Sequence, residues 1–159
     1  MNSISVMEDK TLKLQNVLSY RVSLTEENTT RLDMEVDKMN TYIETHGGRQ
    51  IGPLIHHSYI EQSNSGEVDI KMEFMLQSDR YLDCGESPYE MEETRRVPSC
   101  LYARYVGPEE KLKFAYDKLG VYAFENDIDI LGGSYTVFVD RNEEEEKIVA
   151  DIFMPMKVD

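Results

Sequence analysis

Two carboxylates stand in runs that are otherwise strand-like, and tyrosine is plentiful around them. Asp151 interrupts Ile148-Val149-Ala150-Asp151-Ile152-Phe153-Met154-Pro155-Met156, the most apolar run of the chain. Glu73 lies in Val68–Gln77, on the side shared by Asp69, Lys71 and Met75, opposite Val68, Ile70, Met72, Phe74 and Leu76. There are ten tyrosines and no tryptophan. Tyr20, Tyr59, Tyr102, Tyr105 and Tyr135 fall in alternating runs, and Tyr116 in a helical one. A carboxylate walled by aromatic faces attracts lipophilic cations, because fixed charge and ring quadrupole both favour positive charge. A carboxylate withdrawn from water is also harder to ionise, which suits a ligand counter-ion or a general base. Any one tyrosine reads equally well as a half-buried strand residue tethered by its hydroxyl, and either acid as a solvated group on an open sheet face. The binding set that follows is Asp151, Phe153, Tyr102, Tyr105, Tyr116, Tyr135, Tyr20 and Glu73. Hydrolytic chemistry would fall to Asp151 with Tyr105.

Other chemistries find no support. The chain has no P-loop and no GxGxxG, and Gly47-Gly48 follows a helical stretch instead of preceding one, so no phosphate cradle forms. His56 and His57 are adjacent, which on a strand sends their rings to opposite faces. With His46 they give no metal-ligand spacing, and neither metal nor cofactor is expected. Cys84 and Cys100 are too few for a disulfide framework or a zinc site. Glu143 to Glu146 is a charge run at a hairpin tip.

The elements that must position these residues alternate between periods of two and 3.6. Residues 1–11 are polar and expected to fray. Leu14 to Leu24 alternates as a strand. Thr25–Thr30 offers N-caps, and Leu32, Val36, Met39 and Ile43 form the buried stripe of a helix that Gly47-Gly48 ends. Ile51–Ile60, broken at Gly52-Pro53, and Val68–Gln77 are strands joined by Asn64-Ser65-Gly66. Ser78–Arg96 is a polar connector holding Tyr81, Tyr89 and Met91, long enough to act as a lid. Ser99–Val106 is again a strand. Leu112, Ala115, Tyr116, Leu119 and Ala123 share a helical face, and Ser134–Val139 and Ile148–Met156 complete the set. The order β-α-β-β therefore occurs twice, over 14–77 and 97–157 with 78–96 between them. The expected fold is α+β: one domain over 1–159, built as duplicated units with pseudo-two-fold symmetry. It would form an antiparallel sheet with two helices on one face and a cleft on the other.

Composition narrows the partners. Formal charge is 17 − 31 = −14, which argues against phosphate-backbone binding, since that needs a basic face. Met1–Leu14 has no apolar core of signal-peptide length, and no run approaches the ~20 apolar residues of a membrane span. The expected location is the cytoplasm.

Tyr105-Val106-Gly107-Pro108 resembles the aromatic-x-Gly-Pro joint between strand and helix of the GyrI-like small-molecule-binding family, the bacterial transcription-factor effector-binding domains. Asp151-Ile152-Phe153-Met154-Pro155-Met156 is similar to that family's closing acidic-x-aromatic-x-Pro strand. The resemblance implies a concave cleft that takes hydrophobic, often cationic, aromatic compounds. Asp151 stands where the family has a glutamate one methylene longer. It also implies, for some free-standing relatives, hydrolysis of strained electrophilic natural products by that carboxylate with a tyrosine. No basic helix-turn-helix precedes the fold, so direct operator binding is not expected. The reading is a stand-alone binder of lipophilic or cationic aromatic molecules. Its alternatives are a hydrolase of that kind and an acidic protein-interaction module docking a regulator, a toxin or gyrase, with a protein partner or homodimer as the further association.

Overall fold

The structure, a computed structural model, describes residues 3–23, 32–85 and 87–157. Among them are six strands and two α-helices: β1 (Ser3–Ser23), α1 (Leu32–Thr45), β2 (Gln50–Gln62), β3 (Val68–Ser78), β4 (Glu90–Gly107), α2 (Lys113–Glu125), β5 (Gly133–Asn142) and β6 (Lys147–Pro155). A single 3₁₀ turn, Glu109–Lys111, leads into α2. The chain is α+β with antiparallel pairing. The N-cap expected within Thr25–Thr30 lies outside the described residues.

Backbone contacts divide the chain into two compact units, residues 13–95 and residues 1–12 with 96–159. In the first, β3 pairs with β1 on one side and β2 on the other. Leu18, Phe74 and Leu76 turn one face of these strands toward Met39 and Ile43 of α1, and all five side chains are fully buried. The helix stops where the sequence requires. Gly47 takes φ +86, a left-handed conformation that costs a residue with no Cβ nothing, and Gly48 N–H returns to Ile43 O at 2.9 Å. At the break in β2, Gly52 has φ +73 and the register with β3 slips between Ile51 and Ile55, a bulge.

In the second unit β6 pairs with β4 and β5. Leu101, Ala103, Tyr105, Ala150 and Ile152 face Ala115, Leu119 and Ala123 of α2. Small residues on the inner helix face let α2 lie close to the strands. Ile4 and Val6 of β1 also pack on this core.

Two expectations are corrected. Of residues 1–11, those described, 3–11, are not frayed: β1 begins at Ser3, Lys118 Nζ donates to Ile4 O at 2.6 Å, and the Tyr122 hydroxyl donates to Glu8 at 2.9 Å. Nor is the polar connector a free span to Arg96, because β4 begins at Glu90. Tyr89 is held edge-on to Tyr20 at 5.7 Å and to Tyr42 at 4.8 Å. Leu82 is buried in the α1 core, and Met91 packs against it.

Candidate functional site

Strand alternation sorts the residues of the second unit into two faces. Cross-strand partners share a face, and the register places Tyr102 opposite Phe153, Arg104 opposite Asp151, Tyr135 opposite Phe153 and Val137 opposite Asp151. These lie on the side away from α2, since their neighbours Leu101, Ala103, Ala150 and Ile152 fill the core beneath the helix. The rings of Tyr102 and Phe153 sit 5.1 Å apart at 51°.

Asp151 stands among them with its charge already engaged. Arg104 donates from Nε to Oδ1 at 2.7 Å and from Nη2 to Oδ2 at 2.9 Å, the bidentate side-on pairing. The Tyr102 hydroxyl donates to Oδ1 at 2.8 Å. The carboxylate side chain is 14% exposed and the guanidinium side chain 50%. The hydrogen bonds to Asp151, then its charge, hold Arg104 above the ordinary arginine range. Burial, with the hydrogen bond to a carboxylate, raises the Tyr102 phenol, so it stays a neutral donor at physiological pH.

The remaining tyrosines of the expected set are elsewhere. Tyr105, three residues from Tyr102, points to the α2 side, is buried, and donates its hydroxyl to Pro108 O at 2.5 Å. It thereby ties down the strand-to-helix joint of the Tyr-Val-Gly-Pro motif. Tyr116 on α2 shares a short hydrogen bond with Thr136, and burial raises its phenol. Tyr20 belongs to the other unit and packs against the α1 core with Tyr89. Asp151, Phe153, Tyr102 and Tyr135 thus come together on one face of their unit, Tyr105 and Tyr116 lie on its helix side, and Tyr20 and Glu73 belong to unit 13–95.

Glu73 centres a separate cluster within unit 13–95. Its side chain is 1% exposed, and four donors meet its two oxygens. His57 Nδ1 lies 2.9 Å and Arg95 Nη1 2.5 Å from Oε1, while Arg95 Nη2 lies 3.1 Å and Arg21 Nε 3.3 Å from Oε2. Arg95 is itself bonded to Glu92, and His57 stacks on Tyr59 at 4.8 Å. Burial alone would push the Glu73 carboxyl up. The hydrogen bonds from His57 and Arg95, with their charges, overcome it and hold the group far below the usual carboxylate range. Arg95 moves the other way: burial lowers it, and the bonds to Glu73 and Glu92 prevail and raise it. Four donors match the roughly four lone-pair sites of a carboxylate, so Glu73 has no capacity left for a further donor. Neither His57 nor Arg95 stood out in the sequence. Adjacent histidines give no ligand pattern, and Arg95 lay in a stretch read as a connector.

No family model matches the sequence, and no curated protein matches it. Solved structures do match the fold. The chain is similar to the EcmrR C-terminal domain, with a TM-score of 0.65 and 13% identity over 99% of this chain and 98% of that one. It is similar to EcmrR in its DNA complex, with a TM-score of 0.59 and 15% identity over 98% of this chain, spanning 57% of the EcmrR chain. It is also similar to SAV2435 bound to tetraphenylphosphonium, with a TM-score of 0.51 and 10% identity over 98% of this chain and 94% of that one. A hydrolase from Listeria innocua shares the fold at a TM-score of 0.54 and 11% identity over 97% and 91% of the two chains.

Proposed function

We propose that this chain, which has the fold of the GyrI-like effector-binding domains, binds lipophilic aromatic small molecules. The observation that carries the reading is the face built by Tyr102, Phe153 and Tyr135 around the Arg104–Asp151 pair. Aromatic side chains on a strand face supply large apolar contact, and a few fixed polar groups among them orient what binds. A domain of the same fold, SAV2435, has been seen with tetraphenylphosphonium, which supports the class of ligand. The recurrence of β-α-β-β in each unit supports the further reading that the fold arose by duplication.

Among the described residues no helix is long and apolar enough to cross a membrane. EcmrR has been seen with DNA, and this chain corresponds to 57% of that protein. For this chain we propose ligand binding without operator contact, on the strength of its net charge of −14.

The test is titration of a lipophilic fluorescent dye into wild type, Tyr102→Ala and Asp151→Ala. Loss of affinity in Tyr102→Ala with the fold retained by circular dichroism supports the aromatic face. Affinity equal to wild type in both variants removes that face from the model. Hydrolysis is the second reading, favoured by the 2.8 Å bond between the Tyr102 hydroxyl and Asp151 and by the Listeria hydrolase of like fold. Incubation with epoxide- or cyclopropane-bearing compounds, followed by mass spectrometry, separates the two. Unchanged compounds across a broad panel leave binding alone.

A further inference from the structure

We infer that the aromatic face selects ligands with an acidic head, an aromatic carboxylate being the model, in preference to permanent cations. This deepens the small-molecule reading and rests on it. A carboxylate attracts a cationic ligand only if its charge and lone pairs are still on offer, and those of Asp151 are largely committed. Oδ1 accepts from both Tyr102 and Arg104 Nε, and Oδ2 accepts from Arg104 Nη2. One lone pair on Oδ2 is left in a side chain only 14% exposed.

The guanidinium is in the opposite position. Of its five N–H groups, the two on the side-on edge serve Asp151. The end-on edge, one N–H on each of Nη1 and Nη2, belongs to a side chain half exposed beside the Tyr102 ring. That edge is the fork into which a second carboxylate fits with two parallel hydrogen bonds. The paired donors of the end-on edge against one unspent acceptor make the head-group site a donor surface. A ligand ammonium meets a charge already neutralised and a repelling guanidinium. A ligand carboxylate meets a matched fork, with its ring laid against Tyr102 and Phe153.

The other candidate acid gives a cation no better reception. Glu73 is saturated by His57, Arg95 and Arg21 within its own unit. The overall charge of −14 opposes anions at long range. At physiological salt this field is screened beyond about 8 Å, so direct contact decides the preference.

Three ligands with the same ring test it: naphthalene-2-carboxylate, naphthalene-2-carboxamide and 2-naphthylmethylammonium, titrated calorimetrically into wild type, Arg104→Gln and Asp151→Asn. The expected order in wild type is carboxylate, then amide, then ammonium, with at least a tenfold gap between the ends. Arg104→Gln should lose about tenfold for the carboxylate while leaving the amide within twofold. Asp151→Asn, which frees the guanidinium, should bind the carboxylate more tightly. Ammonium binding equal to or tighter than carboxylate binding overturns the acidic-head inference and leaves small-molecule binding intact. If none of the three binds, the binding reading itself falls with it.

Discussion

His57 Nδ1 lies 2.9 Å from Oε1 of Glu73, and the two residues face each other across the β2–β3 ladder. That contact, with two bonds from Arg95 and one from Arg21, keeps a buried carboxylate ionised well below the usual carboxylate range. Its energetic role follows from what each partner would suffer alone. Glu73 without donors would carry an unsolvated charge, and Arg95, 13% exposed, would keep Glu92 as its ion partner and a bond to the Met75 sulfur. Removing one member of such a pair is strongly destabilising, whereas exchanging the whole set for apolar residues of similar volume often is not. Glu73→Gln should therefore lower stability at pH 7 by about 3 kcal/mol, the low end for such a loss because Glu92 still faces Arg95. Urea denaturation measures it. A loss under 1 kcal/mol would show that the cluster is not energetically coupled.

The same carboxylate fixes a pH dependence. Its folded pKa is depressed, and the unfolded chain returns it to about 4.3. The folded state then binds fewer protons, so the stabilisation is fully present above the ordinary carboxylate range. It drains away as pH falls through that range toward the depressed folded value. Urea midpoints between pH 7 and 2.5 should fall more steeply for wild type than for Glu73→Gln, so the two curves converge in acid. Parallel curves would place the charge network's contribution elsewhere.

The two faces of α2 predict opposite responses. Leu119 is fully buried between Ala115 and Ala123, while Phe124 is 85% exposed. Leu119→Ala should cost about 2–5 kcal/mol through lost transfer free energy and the cavity left behind. Phe124→Ser should stay within about 0.5 kcal/mol. Thermal denaturation of the two single variants is the check, and a comparable loss in both would mean that Phe124 is covered in solution.

How much of this the sequence disclosed depends on how each strand keeps its alternation. The α1 stripe of Met39 and Ile43 and the Gly47 cap were readable because helical period and a left-handed glycine are local signals. The first strand was half hidden for an equally local reason. Asp9 at φ 57 and Asn16 at φ 49 interrupt its extended backbone twice. Asp and Asn tolerate that conformation better than other non-glycine residues, and in a single sequence they read as polar coil. Ser99 at φ 55 does the same inside β4. The ion pairs were beyond reach, because Arg104–Asp151 and His57–Glu73 exist only once strand register is known. One separation was within reach: Tyr102 and Tyr105, three apart on a strand, cannot share a face.

The two cysteines differ in what guards them. Cys100 is fully buried, and burial pushes its thiol up to about 11, so almost no thiolate exists at pH 8. Cys84 is partly exposed. An aromatic disulfide reagent at pH 8 should release about one equivalent rapidly and the second only as the protein unfolds. Peptide mapping should place the fast equivalent at Cys84, and fast labelling of Cys100 would contradict its burial.

Hydroxyl removal at Tyr102 and Tyr105 separates the site from the scaffold. Tyr105→Phe takes one of two donors from Pro108 O at the start of the turn into α2, leaving the Lys111 N–H at 3.1 Å, and the loss of one such hydrogen bond costs about 1 kcal/mol. Its phenyl ring still fills the core, so ligand affinity should stay within twofold while the melting temperature falls. Tyr102→Phe takes a donor from a carboxylate that Arg104 still holds by two bonds. Its stability loss should be smaller. The freed lone pair on Oδ1 makes Asp151 a better acceptor toward ligand and water, so the ratio of carboxylate to ammonium affinity should shift toward the ammonium. Thermal melts paired with titration of the naphthyl acid and amine measure both effects. If Tyr105→Phe alters that ratio as much as Tyr102→Phe does, the division of the strand into a ligand face and a helix face is mistaken.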